Sequence, residues 1–216
     1  MRFALVGAGR IAQKHAKLLG EAKVEGGHLA AICDINADRA RSLGEKYGIP
    51  WFIDFHEMMR KLGDHIDVVN VLTESGRHAT HCIELARYRK HIVVEKPMAL
   101  SVSDADDMIA ACDRAGVKLF VVKQNRYNLP VTKLVEAVRA GRFGKLVMGT
   151  VRVRWCRTQE YYNQAPWRGT WALDGGVFAN QASHHVDLLE WCLGEPVSVF
   201  AKSRTALVDI EAEDTG

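Results

Sequence analysis

No apolar run in this chain approaches the roughly 18 to 20 residues that crossing a bilayer takes, so no membrane-spanning helix is expected. The N-terminus also lacks the parts of a secretion signal: Met1 leads straight into the apolar run Phe3 to Val6, without a basic region, a signal core or a cleavage site. A cytoplasmic protein with no membrane partner is the expectation. Cysteine is scarce: Cys33, Cys82, Cys112, Cys156 and Cys192 are odd in number and show no C-x-x-C spacing. That signals neither a disulfide framework nor a zinc knuckle. Charge of one sign is lacking too, because a net +3 over 216 residues is too small to imply nucleic acid. No nucleic-acid partner is expected, although Arg and Lys thicken between Arg142 and Arg168. Internal repeats and low-complexity segments are absent as well.

What is present is 48% hydrophobic and 25% charged residues, enough for one large domain or two small ones. Apolar runs at Phe3 to Val6, Leu29 to Cys33, Trp51 to Phe52, Val68 to Leu72, His91 to Val94 and Leu119 to Val122 predict strands. Between them, helical spacing runs over Ile11 to Leu19, Ala37 to Tyr47, His56 to Leu62, His78 to Arg87 and Val102 to Ala115. Ser101 and Ser103 are alternative caps for the last of these. Strict alternation of this kind means a doubly wound parallel α/β sheet, assigned to residues 1–123. Residues 124–216 change character. A helix Val131 to Ala140, a long strand Lys145 to Arg157, a segment rich in Trp, Tyr and Gly, a helix His184 to Cys192 and a strand Val197 to Lys202 predict an α+β open-sheet domain. Its sheet reads as unfinished, because two or three strands are marginal and Leu207 to Ile210 looks like the start of another. The expectation is a C-terminally truncated domain.

Gly7, Gly9 and Ala12 form G-x-G-x-x-A directly after a strand, with Arg10 and Ile11 opening the helix. The first glycine allows a tight turn and the second lets a pyrophosphate approach the backbone. The small third residue packs helix on sheet, and the helix N-terminus offers N–H groups to phosphate. Asp34 ends the second strand where a carboxylate accepts from ribose hydroxyls and repels a 2′-phosphate, so NAD is expected over NADP. Taken singly, Gly7 and Gly9 are an ordinary turn and Asp34 the cap of the next helix; their joint placement favours the dinucleotide.

At Val93 to Leu100 the chain reads V-V-E-K-P-M-A-L, placing Glu95, Lys96 and Pro97 at the end of a sheet strand, where open α/β sheets bind ligands. Further on, Gly175, Gly176, Asn180, Ala182, His184 and Asp187 follow a glycine pair and D-x-G-x-H-x-x-D pattern. With the fingerprint, these motifs resemble the Gfo/Idh/MocA family of sugar and inositol oxidoreductases, a Rossmann domain followed by an open-sheet domain. Thr73 and His78, Arg126 with Pro130, and the pair Trp167 and Arg168 also match. The resemblance implies that Thr73, His78, Glu95, Lys96, Trp167 and Arg168 meet the cofactor together with Gly7, Gly9, Arg10, Ile11 and Asp34. It also implies a Lys96–Pro97 bond that is often cis, and a homodimer or homotetramer assembled through the second domain.

Two departures matter: Asn180 stands where many members carry aspartate, and T-E-S-G at Thr73 to Gly76 replaces a proline turn. Together with K-Q-N-R-Y-N-L-P and A-L-V-D-I-E-A-E-D-T, they resemble the subgroup that oxidises carbon 3 of UDP-N-acetylglucosaminuronic acid for bacterial surface polysaccharide such as the lipopolysaccharide O-antigen. Oxidising a secondary alcohol takes a base for the hydroxyl proton, and histidine suits proton exchange near neutrality. His184 is the candidate base and Lys96 the group that stabilises charge developing on oxygen. Asn180 orients either group or holds the sugar. Without the resemblance, His184 would read as a helix-terminal histidine satisfied by backbone, and His185 faces another side of the helix.

Arg152 and Arg154 alternate with Val151 and Val153, so on a strand they would share one face, followed by Arg157, Tyr161 and Tyr162. Guanidinium groups beside aromatics suit a nucleoside diphosphate, and a solvated or subunit-facing strand is the equal alternative. His78, His81 and Cys82 have helical spacing but no further ligand nearby, so no metal is expected. Three functions remain: a nucleotide-sugar dehydrogenase, a family member acting on a free sugar or inositol, and a catalytically silent NAD-binding regulatory module. Retained Lys96 and His184 count against the last.

Overall fold

In the computed structural model, which describes residues 1–216, the first apolar runs pair into one six-stranded parallel sheet in the order β3-β2-β1-β4-β5-β6. The strands are β1 (Arg2–Val6), β2 (His28–Cys33), β3 (Trp51–Phe52), β4 (Val68–Val71), β5 (His91–Val94) and β6 (Leu119–Val121). Helices α1 (Arg10–Gly20), α2 (Ala37–Tyr47), α3 (Phe55–Leu62), α4 (His78–Ala86) and α5 (Val102–Ala115) connect them. This is the dinucleotide-binding strand order, with its switch point between β1 and β4. It is the Rossmann sheet that the alternation predicts.

Register explains why one edge of this sheet collects the site. Val6 is paired with Cys33 on one side and Val71 on the other, and Val71 is paired with Val94. Gly7, Asp34, Leu72 and Glu95 are therefore each the next residue after one aligned row. On the two faces lie apolar layers. Ala12, Ala16 and Leu19 of α1 pack with Leu5, Ile32 and Leu43, while Met58, Leu85 and Met108 of α3, α4 and α5 pack with Val69 and Ile92. Burying each of these larger side chains contributes about 1.5–3 kcal/mol.

Caps set the helix starts. The Asn36 side chain accepts the Arg39 N–H, Asp54 accepts those of His56 and Glu57, and Ser101 rather than Ser103 accepts that of Asp104. Asp34 is thus not the cap of α2. At its other end α5 stops at Gly116, whose φ of 69° is left-handed.

Two compact units make up the chain, Met1–Val122 and Lys123–Gly216. In the second, a tight turn Gln124–Tyr127 leads into α6 (Leu129–Arg139), which begins two residues earlier than its apolar spacing predicts because Pro130 fits the first turn of a helix. A short α7 (Gln159–Tyr162) follows, then a wide π-type turn Phe178–Ala182 that runs directly into α8 (Ser183–Leu193). Helix α8 packs against α6 and both turns.

The strands expected in this unit do not form in this chain. Residues 145–157 and 197–202 join no ladder: a strand exists only through a neighbouring strand that takes up its N–H and C=O groups, and neither run is paired with one. Arg152 and Arg154 are accordingly exposed side chains on an unpaired segment, not two members of one strand face. Around Leu207 a different interaction wins: the Asp214 carboxylate accepts the N–H groups of Ala206, Leu207 and Val208 at 2.9, 2.8 and 2.9 Å. Burial opposes ionisation there, but the Thr215 hydroxyl and these N–H groups hold Asp214 down to about 2. The segment winds round a carboxylate instead of extending, and the one bridge it makes is Arg204 with Thr215.

Candidate active site

The glycine loop follows β1 with Gly7 at φ 102°, and a Cβ there would come within 2.6 Å of the Leu72 carbonyl oxygen. Only glycine fits. Gly9 precedes α1, and a Cβ on it would meet nothing within 4 Å, so the backbone before the helix faces open space of the kind a pyrophosphate needs. Arg10 and Ile11 form the exposed start of the helix and Ala12 is fully buried beneath it. The Asp34 carboxylate accepts the Ala8 N–H at 2.7 Å with one oxygen and the Asn36 N–H at 2.8 Å with the other. It ties the glycine loop to the end of β2.

Around the ends of β4 and β5 the polar groups are connected. His78 is 1% exposed, with Nδ1 at 2.7 Å from the Pro97 carbonyl and Nε2 at 3.1 Å from that of Thr73. The desolvation of this ring pushes its pKa below the ordinary histidine value. His78 thus sits between two loop carbonyls, and when neutral its one N–H donates to one of them. Thr73 Oγ1 lies 3.0 Å from His81 Nδ1. The Lys96–Pro97 peptide is cis. Glu95 is buried. Its carboxylate meets His15 Nε2 at 3.0 Å and accepts the Lys96 N–H at 3.2 Å. His15 in turn accepts from the Asn70 amide at 3.0 Å. Burial opposes the Glu95 charge, but these hydrogen bonds outweigh it and hold the pKa below the usual carboxylate value. His15 and Asn70 escaped the sequence reading. A polar residue inside the fully buried strand V-V-N-V was the available signal, since a buried amide demands a partner.

In the second unit the turn and helix after Gly176 bring Asn180 and His184 together, four residues apart and both buried. Asp174, which the sequence reading missed, is 2% exposed; it accepts the Gly169 N–H at 2.8 Å and the Asn180 side-chain N–H. A carboxylate thus stands beside Asn180 although Asn180 itself is not one. Asp187 is gripped by Arg126 through two hydrogen bonds of 2.9 and 2.8 Å, with Lys123 at 3.6 Å. Burial raises its pKa, but the two cations overcome that and leave it lowered. Gln124 Nε2 lies 3.3 Å from His184 Nε2.

A layered stack completes this unit. The Arg157 guanidinium sits over the rings of Trp155 and Tyr161 at 4.1 and 4.5 Å, and that of Arg168 over Tyr161 and Trp167 at 4.4 and 4.6 Å. Gln181 meets both Arg157 and the Tyr161 hydroxyl. Arg157, Tyr161, Trp167 and Arg168 are therefore one cluster, while Arg152 and Arg154 stand apart from it. No group of three His, Cys, Asp or Glu is placed to hold a metal. No helix is long and apolar enough to cross a membrane.

A glycine loop on a 3-2-1-4-5-6 parallel sheet, with a carboxylate at the end of β2, defines an NAD-binding Rossmann unit. The chain belongs to the Gfo/Idh/MocA oxidoreductase family: residues 1–123 match its NAD-binding Rossmann-fold model, and residues 131–216 match the GFO/IDH/MocA C-terminal domain. The crystal structure of the WlbA dehydrogenase from Bordetella pertussis in complex with NADH and UDP-GlcNAcA is similar to it, with TM-score 0.94 and 43% identity over 99% of this chain and 66% of that one. Myo-inositol 2-dehydrogenase of Thermotoga maritima is 31% identical over 219 residues, all of this chain and 62% of that protein. D-apiose dehydrogenase of Paraburkholderia graminis is 30% identical over 152 residues, 70% of this chain and 40% of that protein. The chain spans about three fifths of the length of the inositol enzyme and just under two thirds of the WlbA chain.

Proposed function

We propose that this chain belongs to a cytoplasmic NAD-dependent dehydrogenase that oxidises the carbon 3 hydroxyl of a UDP-N-acetylhexosaminuronic acid in surface polysaccharide biosynthesis. The observation that carries the reading is the similarity, over 99% of the chain, to a dehydrogenase solved with NADH and UDP-GlcNAcA. The Arg157–Tyr161–Arg168 stack supports it, because it gathers two guanidinium groups of the kind that bind a diphosphate.

Gly7, Gly9, Arg10 and Ile11 would hold the NAD pyrophosphate and Asp34 the adenosine ribose. Thr73, His78, Glu95 and Lys96 would shape the nicotinamide end, His78 from between the two loops, and Trp167 with Arg168 would border it. The open space at Gly9 fits this assignment. The chemistry NAD supplies when bound is acceptance of hydride from the carbinol carbon. His184 takes the hydroxyl proton, Lys96 stabilises the charge growing on that oxygen, and Asn180, held by Asp174, contacts the sugar. Partners are the nucleotide sugar and further copies of the chain, as a homodimer or homotetramer through the second unit.

A second reading, a polyol or free-sugar dehydrogenase, is favoured by the 31% identity to myo-inositol 2-dehydrogenase. Anaerobic absorbance at 340 nm with NAD separates the two. NADH formed with UDP-N-acetylglucosaminuronic acid and none with inositol or free sugars supports the first; the reverse overturns it.

A further inference from the structure

We infer that Gln124 is a positioning residue for His184, holding the imidazole with its proton on Nδ1 and the lone pair of Nε2 ready for a substrate hydroxyl. The inference rests on the reading of His184 as the base. Gln124 opens the K-Q-N-R-Y-N-L-P segment, and its side-chain nitrogen lies 3.3 Å from His184 Nε2. With its amide nitrogen turned to the ring, Gln124 can only donate, and it is this orientation from which we infer an accepting Nε2 and a ring proton on Nδ1.

Both ends of this contact are held in place. Two residues after Gln124, Arg126 grips Asp187, one turn beyond His184 on α8, through two hydrogen bonds. The same guanidinium lies over the Trp191 ring at 4.9 Å. The charged and titratable groups on the packed elements are Lys123, Arg126 and Tyr127 before α6, Lys133, Glu136 and Arg139 on α6, and His185, Asp187, Glu190 and Cys192 on α8 itself. Asp187 is paired with Arg126 and Lys123, Glu136 with Lys133, and Arg139 lies over Trp191. A neutral donor is what the position calls for. A carboxylate there would draw a second proton onto the ring, and an apolar group would leave the tautomer unspecified. On arrival the substrate hydroxyl takes the lone pair that the amide has kept oriented.

The test is nitrogen NMR of the full chain labelled with 15N-histidine, with the His184 signals assigned by their loss in His184→Asn. The Nδ1–H tautomer should dominate at neutral pH in the unmutated chain. Gln124→Leu should move the populations towards Nε2–H, and Gln124→Glu should keep the imidazolium to a pH higher by roughly one unit or more. Unchanged circular dichroism and melting temperature in the variants show that the fold is kept. A wild-type ring protonated on Nε2, or His184 signals that neither substitution moves, overturns the inference. Turnover separates it from the base reading: Gln124→Leu should lower kcat about tenfold without raising KM. Full activity in His184→Asn would overturn the base assignment while leaving the tautomer result standing.

Discussion

At the scale of single residues, the proposed chemistry depends on a few side chains. Lys96→Ala and His184→Ala should each lower turnover about a hundredfold or more while NAD affinity stays within a few fold, as for groups acting on the transition state. Steady-state kinetics with NAD titration by fluorescence check this, and near-wild-type turnover in either variant refutes the role. Asp187 makes a different prediction. Its folded pKa is lowered, so its pairing with Arg126 and Lys123 stabilises the fold fully above the unfolded aspartate value, about 4, and fades as pH falls through the folded value. Asp187→Asn should therefore lower the melting temperature at pH 7, and the gap to the unmutated chain should close in acid. A gap independent of pH would show that packing, not charge, is what the aspartate provides. The residues proposed for catalysis stand in sequence motifs, E-K-P and the His184 pattern. Their supports Asp174 and Gln124 were not, because neither amide nor carboxylate reveals its partner until the chain has folded.

At the scale of elements, the glycine loop is the most constrained part of the chain. Gly7→Ala places a Cβ against the Leu72 carbonyl at a φ of 102°, which costs of order 1–3 kcal/mol in backbone strain alone. Its expected outcome is loss of NAD binding with a destabilised first unit, read by calorimetric melting with and without NAD. A variant that melts and binds like the unmutated chain would refute the geometry. Elements of the first unit matched their sequence patterns closely, since apolar periodicity and caps such as Asn36 and Asp54 act within a few residues. Those of the second unit did so only for helices. Alternation at Val151, Arg152, Val153 and Arg154 is a strand pattern, yet a pattern cannot supply the neighbour that makes a strand.

At the scale of the whole molecule, the exposure of Met148, Val197, Val199 and Phe200 at 82%, 104%, 82% and 85% bears on assembly. Apolar residues so placed favour association. Light scattering should find the chain above monomer mass, and replacing Val199 and Phe200 by Ser should lower that mass while NAD binding is kept. A monomer at micromolar concentration would refute the proposed homo-oligomer.

The sequence by itself determined the order of elements in the first unit, the fingerprint with Asp34, and the family. All of these depend on spacings of a few residues or on one strand–helix–strand unit, where chain connectivity alone places the groups. Only the tertiary structure decided which distant groups meet. His15 lies 80 residues from Glu95 and Gln124 lies 60 from His184. Likewise, only folding showed that His78 lies between the Thr73 and Pro97 carbonyls and that the segment at Leu207 turns round Asp214. The reason is physical: a helix or turn closes through its own neighbours, whereas a buried polar group takes whichever partner the packing of remote elements brings within about 3 Å.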